Sequence, residues 1–254
     1  MGVYKPYSIV TPPFEVLSGG IRVMYGLYGW LLAKGQLAYL NATFEHPDFV
    51  AVYPEIYEGN PAGSGHVVRY ILQTPGVMKL YGVQGPTEFP KGDKKYVFSK
   101  IYDTIGVDDD HIMFLPILNM HLFKDLKKKR KKTCYLVNKG QNQHKHPKNS
   151  IHLNKETSID QSKLALILNE CHTMYCYDRL SAMMEIARLC GCRVKYYGNF
   201  TKDDLTKYEP GMNGVTFKEE EDVKLDVGTF REHYKGLITT FDKKLDKFII
   251  DTQK

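Results

Sequence analysis

The chain has 254 residues, of which 43% are hydrophobic and 25% charged, and a formal net charge of +6 at pH 7. This composition is typical of a globular protein, and the length allows one large domain or two small ones. No apolar run approaches the roughly 18 residues of a transmembrane helix, and the polar start is unlike a signal peptide, so we expect a cytoplasmic protein.

The five cysteines do not form a recognisable cross-linking or metal-binding motif. They are an odd set without a C-x-x-C pair, which argues against a disulfide framework and against a structural zinc site. Cys190 and Cys192 flank Gly191, but no second pair of ligands follows at zinc spacing. We therefore expect reduced thiols and no bound metal.

Strand and helix patterns alternate through the first half of the chain. Residues 7–11 favour a strand, and a helix with apolar residues at helical spacing begins at Ser18-Gly19-Gly20 and ends at Gly35. A second helix is predicted over 67–73, before Thr74-Pro75-Gly76. Further strands are predicted at 37–40, 49–54, 96–99 and 112–116.

The alternation resumes in the second half. Residues 133–137 form a predicted strand, and the polar stretch 141–149 a loop. Ser158-x-x-Gln161 has the form of a capping box and predicts the start of the next helix. Residues 175–194 read as strand, helix, glycine stop and strand, and 229–248 as a terminal helix.

These patterns predict an α/β protein built from two βα halves. We place a first domain at 1–122, a basic linker at 123–132 and a second domain at 133–254. The linker contains Lys124 and the run Lys127 to Lys132, which favour an anionic partner. Either a solvated linker or a segment bound to an anionic membrane surface fits this run, whereas nucleic acid is not expected because no aromatic residues are interleaved.

The stretch from Tyr177 to Gly191 carries the candidate ligand site. A helical wheel separates an apolar stripe from Ser181 and Glu185. Asp178 is predicted to cap the helix, whose N-terminus offers N–H groups to a phosphate, and Glu185 is placed to accept hydrogen bonds from a ribose. The alternative is a capped surface helix with a Glu185–Arg188 pair.

Two further positions are candidates for ligand contact. Gly19 and Gly20 follow the first strand and allow close approach of backbone to a ligand, with an ordinary turn as the alternative. Lys139 follows the first strand of the second half, from which an ammonium group reaches a diphosphate, with an exposed turn lysine as the alternative.

Three short stretches, 11–22, 52–61 and 68–76, resemble glycosyltransferases of the GT-B type, in particular family 4-like bacterial enzymes that build surface polysaccharides. The resemblance implies two Rossmann-like βα domains facing a central cleft, with the nucleotide sugar bound mainly by the second. Glu185 matches the second acid of the family's Glu-x7-Glu pattern, and Lys139 matches the basic diphosphate-binding position. Tyr177 replaces the first acid and is expected to stack on or hydrogen-bond the base or the sugar.

The implied activity is metal-independent transfer of a sugar from a nucleotide sugar to a glycan or glycolipid acceptor in polysaccharide or glycoconjugate synthesis, by a protein peripheral on the cytoplasmic membrane face. Lys139 and the helix N-terminus would stabilise the leaving diphosphate. If the reaction inverts the anomeric centre, Glu55, Glu58 and His66 are candidate bases. The alternatives are a nucleotide-sugar epimerase of the same fold and a nonenzymatic subunit of a glycan-assembly complex. Asp108-Asp109-Asp110 is expected to be an acidic turn.

Overall fold

The computed structural model describes residues 4–138 and 140–254. Lys139, the predicted diphosphate ligand, lies outside the described residues. Contacts divide the chain into two compact units, 1–117 with 237–254, and 118–236. The predicted domain limits differ from this division at the C-terminal segment, which they assign to the second half.

The first unit contains one five-stranded parallel sheet and a small hairpin. The sheet has the strand order β2-β1-β3-β4-β7, and β5 and β6 pair as the antiparallel hairpin. Its elements in chain order are β1 (Tyr7–Ile9), α1 (Gly19–Ala33), β2 (Ala38–Leu40), β3 (Val50–Pro54), β4 (His66–Ile71), β5 (Lys79–Leu80), β6 (Val83–Gln84) and β7 (Lys94–Val97).

The second unit contains a second five-stranded parallel sheet, ordered β12-β11-β10-β8-β9. These parallel sheets confirm the predicted α/β, Rossmann-like class. The elements in chain order are β8 (Lys132–Leu136), β9 (Ile151–His152), α2 (Lys155–Ser158), α3 (Gln161–Glu170), β10 (Cys171–Cys176), α4 (Met183–Leu189), β11 (Arg193–Tyr196), α5 (Lys202–Thr206) and β12 (Val215–Phe217). The last helix, α6 (Val227–Thr252), begins in the second unit, and its residues from 237 onward belong to the first.

Helix α1 forms where the sequence predicts it. Ser18 is its N-cap, and the Ser18 hydroxyl accepts a hydrogen bond from the Ile21 amide at 3.4 Å. The buried face of α1 includes Leu27 and Leu31, and α6 contributes Phe241 to the same core. Burial of this apolar stripe, rather than helix propensity, therefore supplies most of the stability of α1.

The two faces of the second sheet differ in character. The register places Cys134, Met174 and Val194 side by side on a fully buried face. Tyr135 and Tyr175 lie side by side on the other face and are half-buried. The connection from β8 to β9 carries no helix among its described residues, so loops rather than a helix lie over part of this face.

Two of the predicted elements are wrong. The predicted helix at 67–73 is strand β4, a central strand whose last four residues are all buried. A strand buried on both faces reads as a continuous apolar run, which periodicity alone does not separate from a helix. The segment 112–116 is not a strand; Ile112 makes a single parallel bridge to Val97.

The predicted capping box at Ser158 is also wrong. Ser158 ends α2, and α3 is capped two residues later by Asp160, which accepts hydrogen bonds from the amides of Ser162 at 2.9 Å and Lys163 at 3.0 Å. One carboxylate oxygen thus satisfies two amides at the helix start, which favours Asp160 over Ser158 as the cap.

The basic segment 123–132 is fastened to the second unit through Arg130. Its guanidinium donates to the carbonyls of Leu168, Asn169, Cys171 and Cys190, and to the Asp125 carboxylate at 2.7 Å. These groups lie at the end of α3, the start of β10 and the end of α4. Arg130 therefore joins three elements of the unit.

The predicted glycine stop after α4 is confirmed. Gly191 has a φ of 80°, a left-handed conformation that favours glycine. A Cβ at this position would overlap the Arg130 guanidinium. Both the backbone conformation and the packing therefore require glycine here.

Among the described residues, no helix is long and apolar enough to cross a membrane.

Candidate functional site

The strand order of the second sheet identifies its candidate ligand edge. From β8 the chain adds β9 on one side and then crosses to β10 on the other, so the strand order reverses between β8 and β10. In open parallel sheets, ligands bind outside the carboxyl ends of the strands at such a point. We call the segments that follow β8 and β10 here, residues 137–146 and 177–182, the switch-point loops.

Asp178 joins the two switch-point loops. Its side chain is buried, with 4% exposure, and Oδ1 accepts hydrogen bonds from the amides of Asn138 at 2.8 Å and Gly140 at 3.0 Å. A Cβ at Gly140 would overlap the Tyr177 carbonyl, so the backbones of the two loops approach each other closely enough to require glycine at this position. Asp178 thereby fixes one loop against the other.

The prediction that Asp178 caps the following helix is wrong. Helix α4 begins only at Met183, and its N-cap position is Ala182, which makes no side-chain capping bond. Ser181 instead accepts a hydrogen bond from the Met183 amide at 3.2 Å. The carboxylate of Asp178 bonds to residues about 40 positions earlier, and these bonds across the sheet replace a local cap.

Tyr177 holds the loop that leads to β9. Its buried hydroxyl accepts a hydrogen bond from the Lys145 amide at 3.0 Å and lies 2.8 Å from His146 Nδ1. Burial raises the pKa of the Tyr177 hydroxyl, so it stays protonated at neutral pH. The predicted contact of Tyr177 with a base or sugar stays a prediction, and its hydroxyl is already occupied by this loop.

Stacked rings lie next to the switch-point loops on the half-buried face of the sheet. The Tyr135 ring is sandwiched between His146, at 3.8 Å between centroids and 7° between planes, and His152, at 4.5 Å and 1°. Burial lowers the pKa of His146, and the neighbouring histidines lower it further, so this ring is neutral at pH 7. Tyr175 and Tyr197 continue the aromatic cluster, with centroids 6.3 Å apart.

Two cations lie on the described parts of the switch-point loops. The Arg179 guanidinium lies 4.5 Å from the centre of the Phe200 ring, and Lys145 lies 3.4 Å from Glu219 in a half-exposed pair. Arg179 was not among the predicted site residues, although it directly follows Asp178 in the sequence. His146 was not among them either, because a histidine in a polar loop gives no sign of the ring it will stack on.

Glu185 and Arg188 form a buried ion pair rather than a surface pair. Both are essentially inaccessible, at 2% and 0% exposure, and Glu185 Oε1 lies 3.6 Å from Arg188 Nη2. Arg188 also donates to the carbonyls of Gly211 at 2.7 Å and Asn213 at 3.2 Å, and lies 4.1 Å from the centre of the Phe230 ring. The pair therefore ties α4 to the segment before β12.

This burial changes the protonation of Glu185. Desolvation raises its pKa to about 7, against the opposing effect of Arg188. The helical wheel places Glu185 off the apolar stripe but does not show what packs on that side. The predicted ribose contact of Glu185 stays a prediction, and it would have to come from a carboxylate that already has Arg188 and Tyr208 as partners.

In the first unit, the candidate bases Glu55 and His66 lie at opposite ends of the neighbouring strands β3 and β4. Glu55 follows β3, is 4% exposed, and accepts a hydrogen bond from the Leu72 amide at 2.9 Å. His66 begins β4, pairs in register with Val50, and lies 3.1 Å from Asp48. Five residues of strand separate the two positions, or about 16 Å at 3.3 Å per residue, so they do not form one site.

Gly19 and Gly20 are the first two residues of α1. A Cβ at Gly19 would meet nothing within 4 Å, and one at Gly20 would lie 3.5 Å from Leu72, an ordinary contact. Within this structure, neither glycine is required by the packing of the chain itself. Their predicted contact with a ligand stays a prediction.

The acidic run Asp108-Asp109-Asp110 is a turn that binds lysines. Asp109 and Asp110 lie 2.9 Å from Lys244 and 2.7 Å from Lys247 on α6. Across residues 4–138 and 140–254, no group of three or more His, Cys, Asp or Glu side chains is arranged to hold a metal ion.

Comparison with known proteins does not return a glycosyltransferase. No protein-family profile and no curated protein matches the chain. A solved structure of the Escherichia coli RcsC C-terminus, containing a linker region and a phosphoreceiver domain, aligns with 96% of this chain and 94% of its own, at 12% identity and a TM-score of 0.25. At this TM-score the match assigns neither fold nor function.

The family resemblance predicted from three short stretches is therefore wrong. Neither the family profiles nor the curated proteins match the chain, so neither sequence comparison finds a glycosyltransferase. Short stretches such as 68–76 also misled the secondary-structure prediction, since β4 lies where a helix was expected. Turn-forming and apolar residues at these positions are common to many parallel α/β proteins, and they do not identify one family.

Proposed function

We propose that the second unit binds a nucleoside diphosphate sugar at the switch-point loops and that the protein transfers the sugar to a glycan or glycolipid acceptor. The observation that carries the proposal is the reversal of strand order between β8 and β10, where Asp178 joins the two loops. Nucleotides bind at this position in other open parallel sheets.

The groups around the edge suit two parts of such a ligand, its base and its diphosphate. The half-buried rings of His146 and Tyr175 provide faces on which a base stacks, a contact worth about 1–3 kcal/mol per base. Arg179 and Lys145 are cations on the loops themselves and suit a diphosphate. Lys139, although outside the described residues, belongs to the same loop in sequence and remains part of the proposal.

In the proposed reaction, the bond between the anomeric carbon and the diphosphate oxygen breaks and a bond to the acceptor oxygen forms. The acceptor hydroxyl loses its proton to a base, and the nucleoside diphosphate leaves with the bonding electron pair. Arg179 and Lys145 would stabilise the charge that develops on the diphosphate, because cations on the loops that hold the ligand lie close to the leaving group.

The sheet of the first unit supports an acceptor site of its own. Its order β2-β1-β3-β4-β7 also reverses, between β1 and β3. Glu55 directly follows β3, and the buried hydroxyl of Thr11, just after β1, has no hydrogen-bond partner among the described residues. We propose that the acceptor hydroxyl binds at this edge, with Glu55 as the candidate base.

The first test is ligand-induced thermal stabilisation with a panel of nucleoside diphosphates and their sugar derivatives. We expect a shift with one diphosphate and none with the matching nucleoside. The Arg179→Ala variant should bind that diphosphate about 10- to 100-fold more weakly, as expected for loss of one charge-assisted contact. Lys163→Ala removes an exposed cation from α3 and serves as the control, with unchanged binding.

Two results would contradict the proposal. If no nucleotide stabilises the protein, the binding site is wrong. If a sugar nucleotide binds but is converted to an isomer in the absence of any acceptor, the protein is an epimerase and the transfer step is wrong. Product analysis with and without acceptor separates these cases.

A further inference from the structure

A run of exposed lysines lies on the segment that enters the second sheet. Six lysines in nine residues are exposed to solvent: Lys124, Lys127, Lys128, Lys129, Lys131 and Lys132. The single arginine of the run, Arg130, points inward, and its guanidinium donates hydrogen bonds to four carbonyls and to Asp125. We call residues 124–132 the lysine segment.

The lysine segment is held in place by the fold. The Leu126 amide donates to Asn169 Oδ1 at 2.7 Å, and the Asn169 amide group donates back to the Lys124 carbonyl at 3.0 Å. The Lys131 amide donates to the Glu170 carbonyl at 3.1 Å. Because these bonds and Arg130 fix the backbone, the lysines are displayed as a defined surface rather than on a free linker.

The charge on this surface is largely uncompensated. Lys127 lies 2.9 Å from Asp125, which already binds Arg130, and Lys132 lies 2.6 Å from Glu170. Across the described part of the chain, no acidic side chain pairs with the other four lysines, Lys124, Lys128, Lys129 and Lys131. Crowding like charges costs free energy, and an anionic partner would offset that cost.

We propose that the lysine segment binds the anionic headgroups of a lipid bilayer. No aromatic ring interrupts residues 124–132 for base stacking, and the one guanidinium suited to bidentate phosphate contact is turned inward, so a nucleic acid is a poorer fit. Leu126, 41% exposed among the lysines, supplies an apolar side chain for the interface. Lysine side chains suit the diffuse negative field of such a surface.

The position of the segment is compatible with the proposed ligand site. Lys132 is the first residue of β8, whereas the switch-point loops follow the carboxyl ends of β8 and β10. The lysine segment therefore lies at the amino-terminal edge of the sheet, opposite the edge proposed for the nucleotide. A bilayer bound here would leave the nucleotide edge open.

The test measures partition of the full chain onto sedimenting vesicles of phosphatidylcholine, with and without phosphatidylserine. The test variant replaces the four unpaired lysines by glutamine, and the matched control makes the same charge change at scattered exposed lysines, Lys91, Lys155, Lys243 and Lys254. At about 1 kcal/mol per lysine, the test variant should partition about 1,000-fold more weakly onto anionic vesicles, with the control close to the unmodified protein.

High salt should abolish the partition of the unmodified protein, and vesicles of phosphatidylcholine alone should not bind it. The proposal is overturned if anionic vesicles do not bind the unmodified protein at low salt, or if the test and control variants bind equally. Binding of single-stranded RNA that depends on the four lysines, without vesicle binding, would overturn it as well. Nucleotide-induced stabilisation is expected to be unchanged in the test variant, so failure here is distinct from failure of the ligand site.

Discussion

Replacing Glu185 by glutamine should remove a pH-dependent loss of stability. Burial raises the pKa of Glu185 from 4.5 to about 7 in the folded chain. The folded protein therefore holds this proton to higher pH than the unfolded chain does. The stability that this proton confers is fully present below about pH 4.5 and is lost as pH rises through the folded pKa of about 7.

The magnitude follows from the difference between the two pKa values. At about 1.4 kcal/mol per pKa unit, a rise from 4.5 to about 7 costs the folded state about 3 kcal/mol once the carboxylate is ionised. Glu185 is essentially inaccessible, so solvent screening does not reduce this figure substantially. Glutamine has the same shape and does not ionise, so the free energy of unfolding of Glu185→Gln should lack this component.

The assay is urea-induced unfolding of both proteins at a series of pH values from about 5 to about 8. We expect the stability of Glu185→Gln relative to the unmodified protein to rise by about 2–3 kcal/mol across this range. The lowered pKa of His146 acts in the opposite direction but equally in both proteins, so it cancels. The exposed control Glu156→Gln should follow the unmodified protein. Parallel curves for Glu185→Gln and the unmodified protein would refute the reasoning.

Three further substitutions test the contacts that hold the second unit together, each by urea unfolding. Arg130→Gln should lower the free energy of unfolding by about 3–5 kcal/mol because it leaves several carbonyls without a donor and Asp125 without its guanidinium partner, whereas Lys129→Gln should change it little. Gly191→Ala should cost at least about 1–2 kcal/mol through its positive φ and the Arg130 contact, and equal stability would contradict this packing. Asp178→Ala should cost about 1–3 kcal/mol by removing the acceptor of the Asn138 and Gly140 amides.

Local signals in the sequence were sufficient for several elements of the fold. Ser18 and Gly35 mark the two ends of α1, and Gly191 marks the end of α4, because caps and positive φ angles are set by neighbouring residues. The alternation of strands and helices correctly predicted two parallel α/β halves. The prediction of a helix at 67–73 was wrong because a central strand buried on both faces lacks the alternation of apolar and polar residues that distinguishes a strand.

The contacts that build the candidate site could not be predicted from local sequence patterns, because the residues that make them lie far apart in the sequence. Asp178 bonds to a loop about 40 residues away, and Arg130 bonds to carbonyls 38–60 residues away. Nothing in a run of lysines shows that its one arginine faces inward. The wheel placed Glu185 off the apolar stripe, yet the segment before β12 covers that side of the helix through Arg188. Such long-range partners decide which polar groups remain for a ligand.

The most direct test of the central claim is a crystal structure of the full chain with the nucleoside diphosphate sugar that gives the largest thermal stabilisation. We predict the diphosphate within hydrogen-bonding distance of the switch-point loops, with Arg179 or Lys145 in contact and the base against the rings of His146 or Tyr175. A nucleotide bound elsewhere on the chain, with these loops and rings untouched, would contradict the account.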